Sequence, residues 1–394
     1  MSQSAVSEGQ ASLYFQEELQ SCDARLQQDP EDAGTWHYRS YLLALMGRYQ
    51  EALASYQKTL TLESDAPKTW CNYAAILVHC GFLIEAVSAY DRAIGLEPTN
   101  FRAWYKRGET LHRLQDYMAA VESYDRALAL DPKAHRIWFY RGLALNYLGQ
   151  PLQATESLRT ALAHQPDFSH AWNCLGYLLA QQKQYDAAIA CFNSSLALDP
   201  ANPKIFHYQA HVLRQMGRFA EAIDKLEHAT RLDPLNPNYW FLKGLTLGKL
   251  RRYQSAQASL EQALKRQAYH AEGWLALGLT LRKLRRFEEA IEAFNKSLAI
   301  EPDQALAFFH QACCYAQQGR NDWALESLRR AIALQPERYI PRACNDPALS
   351  TLRQDTRLAS LTAVQEKRVL HSRATRIKPK ITTLPEMFAE SPVE

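Results

Sequence analysis

Five tryptophans, Trp36, Trp70, Trp104, Trp138 and Trp172, stand 34 residues apart, and the series continues through Phe206, Trp240, Trp274 and Phe308 at the same interval. A fixed period of this kind excludes one enclosed core. It describes copies of a supersecondary unit, each too small to bury its own apolar face, stacked so that neighbours bury it. Nine units of 34 residues fill positions 33–338 without insertion or deletion. At 394 residues the chain also exceeds what one ordinary core supports.

The unit Ala271–Gln304 shows what each copy predicts. Trp274, Leu277, Leu281 and Leu284 recur at three- and four-residue steps and share one helical face. Arg285 and Arg286 break the pattern, and a second face follows with Ala290, Ile291, Phe294 and Leu298. Pro302 stops the second helix, because an interior proline removes a backbone hydrogen bond. Position 20 of the unit is alanine in every copy, from Ala52 to Ala324. Position 8 is always small, as in Ser40, Gly108, Gly176 and Gly278. Small residues there let the two helices of a hairpin approach closely. Position 32 is proline in seven units, with Ser64 and Ala268 as the exceptions.

These residues resemble the tetratricopeptide repeat family. The resemblance implies an all-α fold, an α-solenoid: a right-handed superhelix of nine helix-turn-helix repeats with flanking capping helices. First helices would line a concave groove and second helices would form the back. The pattern divides the chain into a disordered start with an N-terminal capping helix (1–32), nine tetratricopeptide repeats (33–338), C-terminal capping helices (339–371) and a basic-then-acidic disordered tail (372–394). The helix from Ser12 to Gln28 reads as the second half of a repeat, and Ala348 to Leu370 reads as one or two helices begun by Asp346–Pro347.

Composition narrows the function. Eight cysteines show no Cys-x-x-Cys pair and fit small core residues in a reducing compartment. No signal-peptide pattern opens the sequence, and no apolar run approaches the ~20 residues of a bilayer span. The expected location is cytoplasmic. The net charge is +3, but Lys367, Arg368, Arg373, Arg376, Lys378 and Lys380 contribute +6 of it, leaving a body near −3. A weakly acidic body argues against nucleic acid as the main partner. No phosphate loop, nucleophile elbow or metal signature stands out, so no cofactor, metal or enzymatic activity is expected. His207 and His211 lie four apart on one helix but lack an obvious third ligand.

By the resemblance, groove positions are 2, 5, 6, 9, 12 and 13 of each first helix. In repeats two to four they carry Lys68, Asn72, Arg102, Tyr105 and Lys106, then Arg113, Arg136, Tyr140, Asn146 and Tyr147, with Glu109 the single acid among them. This basic and aromatic wall suits an acidic peptide held by charge-assisted hydrogen bonds. The carboxylate clamp of chaperone-binding members is absent in its usual form, and one Asn72 at position 6 is no asparagine ladder. In repeats seven to nine the groove turns apolar, with Phe241, Leu245, Leu275 and Phe309. A basic ridge repeats beside it: Lys249, Arg251 and Arg252, then Arg282, Lys283, Arg285 and Arg286. Cations near helix C-termini also complement the macrodipole, which gives the ridge a purely structural account. The function expected is a non-catalytic scaffold or adaptor binding a partner's acidic or amphipathic segment in the groove. The alternative is an RNA- or membrane-surface-associated assembly factor using the ridge and the basic tail. A third expectation is that Leu384, Met387 and Phe388 of the tail occupy the groove in cis.

Overall fold

The computed structural model describes residues 3–353 and 355–361, with side chains from residue 13 onward. The basic tail and the segment with Leu384, Met387 and Phe388 lie outside the described residues. The chain is all-α, with no strand among the described residues. It divides into two units, Met1–Pro200 and Ala201–Glu394.

In the first unit α1 (Gln3–Gln28) precedes five helical hairpins: α2 (Ala33–Leu45) with α3 (Tyr49–Leu62), α4 (Pro67–Cys80) with α5 (Leu83–Leu96), α6 (Phe101–Arg113) with α7 (Tyr117–Leu130), α8 (His135–Tyr147) with α9 (Pro151–His164), and α10 (Ser169–Gln181) with α11 (Tyr185–Leu198). The second unit holds α12 (Pro203–Gln215) with α13 (Phe219–Leu232), α14 (Pro237–Lys249) with α15 (Tyr253–Arg266), α16 (Ala271–Lys283) with α17 (Phe287–Ile300), and α18 (Ala305–Gln317) with α19 (Asn321–Leu334). Its described part ends with α20 (Pro336–Asn345), a 3-10 turn, Pro347–Leu352, and a short helical segment at 356–361. Each unit is a solenoid of stacked hairpins.

The turn inside every hairpin follows one recipe. Residue 15 of the repeat has positive φ, from 59° at Arg251 to 85° at Gly81. The next backbone N–H donates to the carbonyl five residues back, as in Arg48 to Leu43 (2.9 Å) and Arg286 to Leu281 (3.0 Å). This is the six-to-one bond that ends a helix on a left-handed residue. Glycine supplies that conformation in five repeats; Gln115, Lys183, Arg251 and Arg285 adopt it with a side chain.

Within a hairpin the two helices meet through the small positions. All nine alanines at position 20 are fully buried. A Cβ added to Gly108 would stand 2.5 Å from the Tyr124 ring, and one on Gly278 2.6 Å from the Phe294 ring. Position 8 is therefore small because a large side chain from position 24 already fills the space.

Between hairpins two links repeat. The first uses the tryptophan: Trp36, Trp104, Trp138 and Trp240 donate their indole N–H to the carbonyls of Pro30, Pro98, Pro132 and Pro234, at 2.8–3.0 Å. Trp70 and Trp274 do the same to Ser64 and Ala268, so the carbonyl, not the proline ring, is the shared feature. The second uses position 7. Arg107 reaches back to Asp91 (2.6 Å) and across to Ser123 (2.6 Å), and Arg141 does so to Asp125 and Ser157. Arg39 makes the same pair of contacts to Asp23 of α1 and to Ser55, so α1 packs on the first hairpin as the second helix of a repeat packs on the next. Leu19 and Cys22 of α1 join the core of the first hairpins.

The ends depart from the sequence pattern. α1 begins at Gln3, earlier than Ser12. Pro336 starts α20 where the repeat boundary had been placed at 338. Asp346 caps the following turn through its bond to the Ala348 N–H (2.9 Å); that turn is 3-10 and ends at Leu352, a helical segment follows at 356–361, and the remainder of the expected second helix lies outside the described residues. Leu349, Leu352 and Leu358 bury against the last hairpin.

Candidate functional site

Successive first helices approach one another (α4 with α6, α6 with α8; α14 with α16, α16 with α18). The first-helix face is thus the inner face of each stack, and its side chains form the candidate site.

In the first unit the inner face between α4, α6 and α8 encloses a cavity of about 400 Å³. Tyr90, Tyr124 and Tyr140 give it an aromatic floor, and Lys106, Glu109 and Arg113 line its mouth. Tyr124 is fully buried, and its hydroxyl has no hydrogen-bond partner among the described residues. Burial, then the field of Glu109, pushes that phenol well above its ordinary range. At the rim Tyr117 and Tyr147 stack at 4.6 Å, with the His112 ring edge-on to Tyr117 at 5.1 Å. Burial lowers the pKa of His112, so the ring is neutral at pH 7.

The wall is less basic than its composition suggested. Glu109 binds both Lys106 (2.6 Å) and the Tyr105 hydroxyl (2.7 Å). The Lys106 charge is compensated inside the groove, and Tyr105 is a donor already in use. Asn72 is likewise engaged, hydrogen-bonded to Tyr56. Lys68, Arg102, Arg113 and Arg136 remain exposed and make no ion pair among the described residues. Asn146 is half-buried and Tyr147 is 62% exposed.

In the second unit Phe241, Leu245 and Leu275 are partly buried on the inner face, with the Phe241 ring against His270 at 4.7 Å. Phe309 is different: it is 1% exposed, covered by Tyr339 of α20 at 5.1 Å, and belongs to the core. α20 carries two prolines, Pro336 and Pro341, which hid it in the sequence. The ridge also changes. Arg286 is held by Glu289 (2.5 Å) and by Gln257 (2.8 Å). Lys249, Arg251, Arg252, Lys283 and Arg285 are exposed and without an ion pair among the described residues. Arg282 is not a ridge residue: it is half-buried on the inner side, where its charge acts on His310, Cys313 and Cys314.

Among the described residues no group of three His, Cys, Asp or Glu is placed to hold a metal, His207 and His211 included. No helix among them is long and apolar enough to cross a membrane.

Comparison with known proteins adds the following. The tetratricopeptide repeat family model matches residues 84–135, 113–146, 141–203, 242–305 and 275–339, more than half of the chain. Models for the anaphase-promoting complex, cyclosome, subunit 3 (181–263) and for the protein prenyltransferase alpha subunit repeat (15–46) also match. No curated protein matches. Among solved structures, the C-terminal part of a TPR repeat-containing protein from Cytophaga hutchinsonii is similar at TM-score 0.54 and 16% identity, over 63% of this chain and 99% of that one. YrrB, described as a TPR protein with an unusual peptide-binding site, is similar at TM-score 0.43 and 24% identity, over 47% and 95%. The APC/C hetero-tetramer Cut9–Hcn1 is similar at TM-score 0.44 and 15% identity, over 82% and 75%.

Proposed function

We propose that this chain, which belongs to the tetratricopeptide repeat family, is a non-catalytic interaction scaffold that takes an acidic partner segment on the inner face of its first unit. One observation carries the reading. Arg113 lines a tyrosine-floored cavity of about 400 Å³, and Lys68, Arg102 and Arg136 stand at groove positions of the same three first helices, α4, α6 and α8; all four cations are exposed and make no ion pair among the described residues. Guanidinium groups bind carboxylates in bidentate, charge-assisted pairs, and the cavity accepts an apolar or aromatic side chain beside them. The Tyr124 hydroxyl, unpartnered at the floor, adds one donor for a group that enters deeply.

The test uses Arg102→Ala, Arg113→Ala and Arg136→Ala together, because Lys106 is already neutralised by Glu109. Affinity purification with mass spectrometry, comparing this variant with the parent chain at equal helicity, is expected to lose a specific partner. An unchanged partner list refutes the assignment.

A second reading, a polyanion-binding assembly factor, rests on the ridge. Its five exposed cations lack ion pairs, and two of them occupy the left-handed turn position. The aromatic residues beside it, Tyr253 and Phe287, are half-buried and offer no open stacking face.

A further inference from the structure

The inner face of the second unit holds a charge cluster that the first site does not use. His310 of α18 and Arg282 of α16 each carry a buried nitrogen, Nδ1 and Nε, with no hydrogen-bond partner among the described residues. Such atoms are rare in folded proteins, because a buried polar atom without a hydrogen-bond partner is unfavourable. Around them stand Lys283, Arg338 and Arg342, all exposed. None of these four cations makes an ion pair among the described residues. Arg338 and Arg342 are fixed over the Tyr339 ring at 5.5 and 5.9 Å, and Arg342 also over Phe309 at 6.0 Å. Burial, then Arg282, Arg342, Lys283 and Arg338 in that order, pushes the His310 imidazole down to about 3, with no carboxylate among the groups acting on it. Four positive charges therefore converge on one neutral ring.

Beside the cluster, Leu245, Leu275 and Leu279 make a partly buried apolar strip. The floor next to it is open: a Cβ on Gly248 would meet nothing within 4 Å. Beyond Gly248, at the same repeat position on α12, Arg214 presents another buried Nε without a partner.

We propose that this face is a second binding site, which reads the carboxylates of an acidic, aliphatic-rich segment of a partner protein. Asp or Glu side chains seat on Arg282 and Arg342, where planar guanidinium groups match planar carboxylates. Neighbouring aliphatic side chains lie on Leu245, Leu275 and Leu279. A nucleic acid fits poorly, since base stacking needs open aromatic faces and Phe309 and Tyr339 are covered.

The probe is a fluorescein-labelled synthetic peptide of alternating Glu and Leu, titrated by anisotropy into the full chain. Affinity is expected to fall about tenfold or more in Arg282→Gln with Arg342→Gln. The exposed pair Lys283→Gln with Arg338→Gln, which leaves core packing intact, is expected to weaken binding in the same direction. The triple alanine variant of Arg102, Arg113 and Arg136 is expected to leave it unchanged, which separates this site from the one above. Undiminished binding in both glutamine pairs overturns the proposal. So does equal affinity for a Gln–Leu peptide, or displacement of the peptide by a single-stranded oligonucleotide at equal concentration. A gain in peptide affinity on Glu386→Gln with Glu390→Gln also overturns it, because the chain's own tail would then be the occupant.

Discussion

Gly278 offers the sharpest test of how these hairpins are packed. An alanine Cβ at this position would lie 2.6 Å from Phe294 Cε1 and 2.7 Å from Cδ1, and Phe294 is fully buried with nowhere to retreat. Two effects oppose each other. Alanine is favoured over glycine in a helix interior by ~0.8–1.0 kcal/mol. Overpacking a close-packed core costs ~1–3 kcal/mol. The balance predicts that Gly278→Ala destabilises the chain by about 0–2 kcal/mol, against the usual sign for this substitution in a helix. Phe294→Leu alone loses ring packing, about 1 kcal/mol. The double variant should recover most of the loss, because alanine with leucine is what the chain already uses at the equivalent positions Ala210 and Leu226, both fully buried. The coupling energy is then about 1 kcal/mol or more in favour of the pair. Urea denaturation followed by far-ultraviolet circular dichroism measures it, with the slope m held constant across the series so that segmental unfolding is not mistaken for a change in stability. If the two single effects add within about 0.5 kcal/mol, the position-8 to position-24 contact does not set residue size here. A Gly278→Ala chain more stable than the parent would refute the steric argument outright.

Two further outcomes follow from the turns and the buried histidines. Arg285 holds φ at 62° where five repeats have glycine, so Arg285→Gly is expected to raise stability by about 1 kcal/mol, seen as a higher urea midpoint; no gain, or a loss, would show that the arginine makes a compensating contact. His310 is pushed down to about 3 and His207 to about 4, both by burial first, from an unfolded value of 6.5. Below 6.5 the unfolded chain takes up protons that the folded chain refuses. Stability contributed by these rings is therefore complete above pH 6.5 and falls as pH drops toward 4. Denaturation midpoints across that range should show the fall, and His310→Gln should flatten it; a slope unchanged by the substitution would contradict the linkage.

The repeat period, the hairpins and the small positions were readable because each is a steric demand that recurs in the residue types themselves. The indole bond to the preceding turn was not. Its acceptor is a backbone carbonyl, which Pro98, Ser64 and Ala268 supply equally well, so only the donor leaves a trace. At the first site, Lys106 looked like a free cation, though Glu109 stands three residues on, a spacing that places both on one helical face. Arg282 was grouped with the ridge by its nearness in sequence. One residue on a helix turns the side chain by about a quarter turn, enough to send Arg282 inward and leave Lys283 exposed. Phe309 was misjudged for a tertiary reason: its cover, α20, has no counterpart in the repeat pattern.

The position-7 links have a consequence for how each stack yields. Arg39, Arg107 and Arg141 tie neighbouring hairpins by directional bonds to a carboxylate and a serine, which resist rotation of one hairpin on the next. At Leu175 and Leu277 the same position is a buried aliphatic side chain, which packs without a preferred angle. Such joints act as bearings rather than bolts. The α16–α17 hairpin has one joint of each kind: Leu277 packs it on the hairpin before, while Gln311 of α18, bonded to Asn295 and Ser327, pins it to the hairpin after, so any give in the face that carries Arg282 lies on its α14 side.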